Sequence, residues 1–494
     1  MGTLQVDKGD KKEKKILWLF VATVALLIIM FMPTPEGLPE MGQTALAILV
    51  FAVILWITEA VSYPVSSMMI IGLIAILLGI SPSIEDPSVT IGSGAALKMA
   101  LAGFSNSAVA LVAGALFIAV AMQVTNLHKR IALLILSKVG SKTKNIVIGA
   151  ILVSFILALF VPSATARGGA LVPILLGMVA AFGMAKTSKL GALLIITAAQ
   201  SISIWNVGIK TAAAQNMVAL GFIEETLGET ISWGQWFLYA APWSIIMSIA
   251  LYFIMLKVIP PETNEIENGQ SMVYQQLLSL GKLKAEELRL IIISILLLFF
   301  WATEGVIHDF DTTTVTFIAV AVMLTPKIGV FTWEQAEKSI PWGTIIVFAV
   351  GISLGSILLS TKAASWLADG FFGLLGIENM PIIGLIALLS AFNILIHLGF
   401  ASATSLASAL IPIFIALATT MNGDFNTVGL VLIQQFVISF GFLLPVSAPQ
   451  NMLAYGSGTF TVKDFMKSGI PLTIIGYLLI LLFSATYWKW IGLI

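Results

Sequence analysis

Ser163-Ala164-Thr165, followed by Ala170-Leu171-Val172-Pro173-Ile174, returns 239 residues later as Ser402-Ala403-Thr404, followed by Ala409-Leu410-Ile411-Pro412-Ile413, at unchanged internal spacing. The first copy interrupts an apolar run at Pro162-Ser163-Ala164-Thr165-Ala166-Arg167-Gly168-Gly169, and between Asn145 and Lys186 the only charged residue is Arg167. The second copy lies within 382–417, a stretch without Asp, Glu, Lys or Arg. Neither arm beside a tip leaves room for a full span plus a loop, so each copy reads as two half-length helices forming a re-entrant hairpin. Irregular backbone at membrane depth is tolerated only where it is buried in protein or lines a wet cavity.

Working outward, two more motifs repeat in the same order. Trp56-Ile57-Thr58-Glu59 returns as Trp301-Ala302-Thr303-Glu304, and Gln215-Asn216-Met217 returns as Gln450-Asn451-Met452. Residues are 59% hydrophobic and 10% charged over the 494-residue chain, with mean hydropathy +1.03. A soluble domain carries about a quarter charged residues, so a water-soluble fold is excluded. Apolar stretches near the ~20 residues that cross a bilayer recur, for example at 16–32, 45–58, 290–301 and 473–488. The expected fold is an all-α polytopic membrane protein, with about eleven spans plus two re-entrant hairpins. The first apolar run follows Lys11, Lys12, Lys14 and Lys15 and ends in Pro33-Thr34-Pro35 without a small-residue cleavage site, so it reads as a retained span rather than a signal peptide.

Charge distribution gives a topology. The lysine cluster puts the N-terminus in the cytoplasm, and following the spans places the basic segments 129–144, 186–189, 257–289, Lys327 and 463–467 inside. The acidic segments 36–40, 85–86, 224–225 and 309–311 then fall outside, and the C-terminus is external. The division expected is a cytoplasmic N-terminus and first span (1–41), a first repeat (42–258) with an inner hairpin at 145–185, a polar cytoplasmic linker (259–289), and a second repeat (290–494) with an outer hairpin at 381–420. Each half holds an odd number of spans, so the second inserts upside down. Such inverted repeats place substrate near the midplane at their interface, with interrupted helices as the pointers to it.

A hairpin tip offers helix-start N–H groups and two hydroxyls, a receptor suited to a carboxylate. Two opposed tips, Ser163-Ala164-Thr165 and Ser402-Ala403-Thr404, suit a dicarboxylate. The plainer alternative is that these hydroxyls bond to helix carbonyls, as is common in membrane helices; the duplication at matched spacing argues against it. A second interrupted pair, 208–216 and 445–451, contains Ala212, Ala213 and Asn216 in one half and Ser447, Ala448, Pro449 and Asn451 in the other. Unwound backbone there offers carbonyls for a cation and amides for an anion, with Asn216 and Asn451 placed to brace the turns. Arg167 and Lys210 both fall in the first-half site, against Leu406 and Pro445 in the second. Two fixed cations suit a dianion in a low-dielectric site, although each has the alternative of snorkelling to an interface. His397 precedes the second tip and is a candidate proton site or a packing histidine; Glu59 and Glu304, at span ends, read as caps or tethers.

These residues make the chain resemble the divalent anion/sodium symporter family of dicarboxylate and citrate carriers, over 56–465. The family's Ser-Asn-Thr tips are similar to Ser163-Ala164-Thr165 and Ser402-Ala403-Thr404, and its Gly-Thr-Pro-Pro-Asn turns to 212–216 and 447–451. The resemblance implies a homodimer in the cytoplasmic membrane, a scaffold domain, and a mobile transport domain that moves as an elevator. Through it the tips, together with Ala213, Ala448, Pro449, Asn216 and Asn451, are assigned to substrate. The middle Asn of each tip helps coordinate sodium in sodium-coupled relatives, and Ala164 and Ala403 offer no side-chain oxygen. No metal site is expected beyond a residual sodium position at the Ala212 and Ser447 carbonyls.

The function expected is sodium-independent exchange of dicarboxylates such as 2-oxoglutarate, malate, succinate and fumarate, with no cofactor. Alternatives are a sodium- or proton-coupled symporter of di- or tricarboxylates and, from another class, an anion channel. An enzyme would need a convergent set of His, Asp, Glu or Cys in the spans, yet cysteine is absent and only three histidines occur. Nothing forms a nucleic-acid footprint.

Overall fold

A computed structural model describes residues 8–494 except 182, 266–268, 374–379 and 422–424. Part of the expected cytoplasmic N-terminus (1–7), the Lys11 and Lys12 side chains and three residues of the expected linker lie outside what is described. The described residues are helical, with three isolated bridges and no strand. In a bilayer this is forced: intrahelical bonding satisfies backbone N–H and C=O groups where no water can. Nine helices among the described residues are long and apolar enough to cross a membrane. Some helix starts carry polar caps, such as Asn106 accepting from Ala108 N and Asp311 accepting from Thr313 N and Thr314 N.

The same succession of ten helices occurs twice. Glu40–Thr58, Tyr63–Leu73, Ser93–Leu101, Ser107–Thr125 and Leu127–Lys138 are followed in order by Thr143–Phe160, Ala164–Ala181, Lys189–Gly208, Ala214–Leu227 and Trp233–Val258. Their counterparts are Ala285–Thr303, Thr312–Leu324, Trp333–Ser339, Trp342–Ser360 and Ala363–Phe372, then Ile382–His397, Ala403–Thr420, Thr427–Ile438, Pro449–Gly456 and Val462–Ala485. Contacts between the halves are reciprocal. Ala164–Ala181 packs on Pro449–Gly456 as Ala403–Thr420 packs on Ala214–Leu227; Ser107–Thr125 packs on Thr312–Leu324 as Trp342–Ser360 packs on Tyr63–Leu73. Trp233–Val258 and Val462–Ala485, equivalent to one another, pack together.

Both expected hairpins are helix–turn–helix units, but their arms are not half-length. They run 18 and 18 residues in the first hairpin, 16 and 18 in the second. At 1.5 Å per residue an 18-residue arm is about 27 Å long. The reading from polarity fails because Pro162 and Ser163 end one helix and start the next without shortening either. Pro173 and Pro412 sit inside the second arms without ending them.

The linker is tied down. Glu262 accepts from Lys189 N at 2.7 Å and Leu190 N at 2.8 Å, capping a helix start with a carboxylate. Thr143 Oγ1 donates to Thr263 O, and Gly269–Ser279 packs on Leu127–Lys138 and Ala164–Ala181. Arg130 meets Glu287 in a buried pair at 2.8 Å and also donates to Gly281 O and Leu280 O.

Candidate substrate-binding site

Each tip serine starts the second arm of its hairpin. Ser163 Oγ accepts from Ala166 N at 3.2 Å and Ser402 Oγ accepts from Ser405 N at 3.3 Å. Both serines are therefore N-caps, which is part of why the chain reverses there. Glycine at 168 and 169 and alanine at 164 and 166 keep the first tip slim; Gly168 lies against Gln450 and Leu453 of the other half.

The breaks are braced by matching bonds. Asn216 Nδ2 donates to Asn206 O at 2.8 Å, and Asn451 Nδ2 donates to Gly441 O at 2.7 Å, each reaching ten residues back. Asn216 also donates to Ile209 O and Lys210 O. The halves then trade side-chain bonds: Gln215 Nε2 to Ser439 Oγ at 3.3 Å, and Gln450 Nε2 to Ser203 Oγ at 3.0 Å. Gln200 Nε2 donates to Phe442 O. Carbonyls freed by unwinding are thus occupied by amides from their own break or from the opposite half.

Both tips and both breaks meet at one cavity of about 740 Å³. Ser163, Ala164, Thr165, Ser402, Ala403 and Thr404 line it, with Ala212, Ala213, Ser447, Ala448 and Pro449. Asn216 and Asn451 are buried and stand behind this wall as braces. Arg167 is fully buried, behind the cavity-lining Asn206 and Ala212. Its Nη2 donates to Asn206 Oδ1 and, at 2.9 Å, to Ala212 O. Arg167 Nε and Nη1 have no hydrogen-bond partner among the described residues, and no carboxylate pairs with it there.

Lys210 is turned elsewhere. Its ammonium donates to Ile231 O at 2.7 Å and to Thr312 Oγ1 at 3.3 Å, and Thr312 Oγ1 in turn donates to Glu304 Oε2. Lys210 and Glu304 therefore fasten the break to the segments that begin Trp233–Val258 and Thr312–Leu324, and Lys210 is not on the cavity wall. His397 is on the wall, its Nε2 3.3 Å from Ser447 O and its Nδ1 unpartnered among the described residues.

Several residues here are not singled out by the sequence reading. Asn206 orients Arg167, and Gln215 and Gln450, present in the repeated motif but given no role there, line the cavity beside the breaks. Tyr63, Gln123, Asn126 and Lys129 form the facing wall. A signal for the first group existed: Gln200, Ser203, Asn206, Gln434 and Gln435 are polar residues inside otherwise apolar helices, and all are buried.

The chain matches the family model described as the sodium:sulfate symporter transmembrane region over residues 13–494. It is 52% identical over 474 residues to a membrane protein of Cupriavidus necator, covering 96% of this chain and 92% of that one. It is 25% identical to the sodium-dependent dicarboxylate transporter of Staphylococcus saprophyticus (96% and 92% covered). It is 26% identical to the citrate/succinate antiporter of Escherichia coli (92% and 94% covered). Among solved structures, the Alcanivorax borkumensis YdaH transporter shares the fold at TM-score 0.53 and 16% identity, with 90% of this chain and 99% of that chain covered.

Proposed function

The chain belongs to the sodium:sulfate symporter family of membrane transporters, and within it we propose that this protein exchanges dicarboxylates of the 2-oxoglutarate, malate, succinate and fumarate class without sodium. The observation that carries this reading is the Arg167 guanidinium donating to Ala212 O immediately behind the cavity. That carbonyl is the one a first-half sodium ion would need. A fixed cation already engages it, and Ala164 and Ala403 supply no side-chain oxygen in compensation. The relatives include both an antiporter and a sodium-dependent carrier, so the proposed mode rests on these residues.

Exchange follows from the energetics of a buried charge. An arginine without a carboxylate partner is costly to hold in a low-dielectric site and costlier to move through one. A bound dianion compensates it on both journeys, whereas an empty carrier returns with the buried charge uncompensated. The two tips at one cavity suit two carboxylates, each received by helix-start N–H groups and a threonine hydroxyl.

The geometry of motion proposed is an elevator. The two halves, 42–258 and 290–494, are taken as inverted repeats, with the N-terminus in the cytoplasm and the C-terminus outside, in a homodimer in the cytoplasmic membrane. The repeated element order and the reciprocal contacts support a pseudo-two-fold relation, and the odd number of spans that the charge distribution gives each half supports inversion.

The test is uptake of labelled succinate into proteoliposomes with and without internal dicarboxylate, in sodium and sodium-free buffer. Uptake that needs internal dicarboxylate and ignores sodium is expected. Sodium-driven uptake into empty vesicles would refute the reading. A second reading, proton coupling, is favoured by His397 alone, which reaches the Ser447 carbonyl in the other break; it requires uptake driven by a pH gradient into empty vesicles.

A further inference from the structure

The wall of the 740 Å³ cavity carries one lysine, Lys129, and no arginine, aspartate or glutamate among the described residues. Arg167 acts from behind the wall, so the single full charge that a dianion meets on entering is at the rim. We propose that Lys129 is the capture residue for a substrate carboxylate at the cytoplasmic mouth, and that Lys362 performs the same task at the outer mouth. This rests on the exchange reading and on its topology, and the experiment below separates the two.

Lys129 sits in the first turn of Leu127–Lys138, immediately after Asn126, whose left-handed backbone (φ 58°) swings the chain out of Ser107–Thr125. Gln123, Asn126 and Lys129 thereby line the cavity at three-residue intervals, all exposed. Ser339, also exposed, and Thr344 complete the rim from the other half. The neighbouring Arg130 is neutralised by Glu287, and Lys129 makes no ion pair among the described residues. Its charge is therefore unspent and its head is hydrated, which suits transient capture. An exposed cation adds to encounter and initial affinity and is screened by salt, whereas a buried one holds the bound ligand.

The repeat supplies the outer helix, in which the cation stands at the position of Asn126 and Ser365 stands at that of Lys129. Ala363–Phe372 is the equivalent helix, and Lys362, the residue before it, adopts the same left-handed backbone as Asn126 (φ 61° against 58°). In this conformation Lys362 lines a separate depression of about 500 Å³ with Glu36, Ser365, Trp366 and Asp369. Trp366 Nε1 donates to Glu36 O, fastening the segment between the first two spans over that helix. When the transport unit moves outward, this helix takes the place at the open cavity that Leu127–Lys138 holds now.

The experiment measures half-saturation for succinate from each side separately, in proteoliposomes of determined orientation preloaded with succinate. Lys129→Gln is expected to raise the cytoplasmic-side constant about fivefold, with the outer-side constant unmoved, and to flatten its dependence on ionic strength. Lys129→Arg should restore both, and Lys362→Gln should show the mirror pattern. Lys138→Gln, at the far end of the same helix and off the cavity wall, should move neither constant. Retained outer-side kinetics show that Lys129→Gln is folded. Equal shifts on both sides, no shift, or a fall in maximal rate alone would overturn the proposal. Wild-type protein that does not exchange dicarboxylate would instead remove the premise, and the proposal with it.

Discussion

At the scale of single residues, the site is organised by where nitrogen donors point. Arg167 spends one nitrogen on Asn206 and Ala212 and keeps two without partners among the described residues. Arg167→Leu, which installs the residue found at the equivalent position 406, should lower exchange by about a hundredfold, since loss of a buried charge partner costs about 2–5 kcal/mol. Initial rates in dicarboxylate-loaded vesicles check this, and undiminished exchange would remove Arg167 from the mechanism. Asn451→Ala should leave the Gly441 carbonyl unsatisfied and cost about 1–3 kcal/mol, read as a lower Tm in detergent. The tips were legible in the sequence because Ser and Thr stand out in apolar surroundings and occur twice. Lys210 was legible as a charge at a break but not as a direction: a single 3₁₀ turn, Lys210–Ala212, carries its amine to Ile231 and Thr312. Spacing fixes neighbours along a helix, and it fails where the helix stops.

At the scale of elements, the breaks work because neighbouring helices come close enough to support them. Gly469 of Val462–Ala485 lies against the second break, where an added Cβ would sit 2.0 Å from Phe442 O. The obstacle is backbone, and the same carbonyl already accepts from Gln200, so it has little freedom to retreat. Gly469→Ala should therefore lower Tm and yield, while substitution at Gly456, where nothing lies within 4 Å of the added atom, should be tolerated. A pair of melting curves decides it; equal stability of the two variants would mean the break yields easily. Hairpins and breaks were readable from interrupted hydrophobicity, but arm lengths were not, because a turn of a few residues at each tip ends one helix and begins another without shortening either. The linker's ties through Glu262 and Arg130 were also invisible, since polar residues between spans look alike whether solvated or docked.

At the scale of the whole molecule, the repeat turns one conformation into a statement about two. Thr165 and Thr404 line the same cavity, whose exposed rim is formed by Gln123, Asn126, Lys129 and Ser339, the side that the positive-inside rule assigns to the cytoplasm. If the tips travel with the substrate, a residue at a tip meets cytoplasmic water in this state and external water in the other. The chain has no cysteine, so single cysteines can be introduced without removing others. Thr404→Cys should react with membrane-impermeant thiol reagents from either side of oriented vesicles during exchange, and substrate should slow both reactions. Ser339→Cys should react from the cytoplasmic side alone. If Thr404→Cys were labelled from one side only under active exchange, the tips would not move between compartments, and the elevator would have to be abandoned even were exchange itself established.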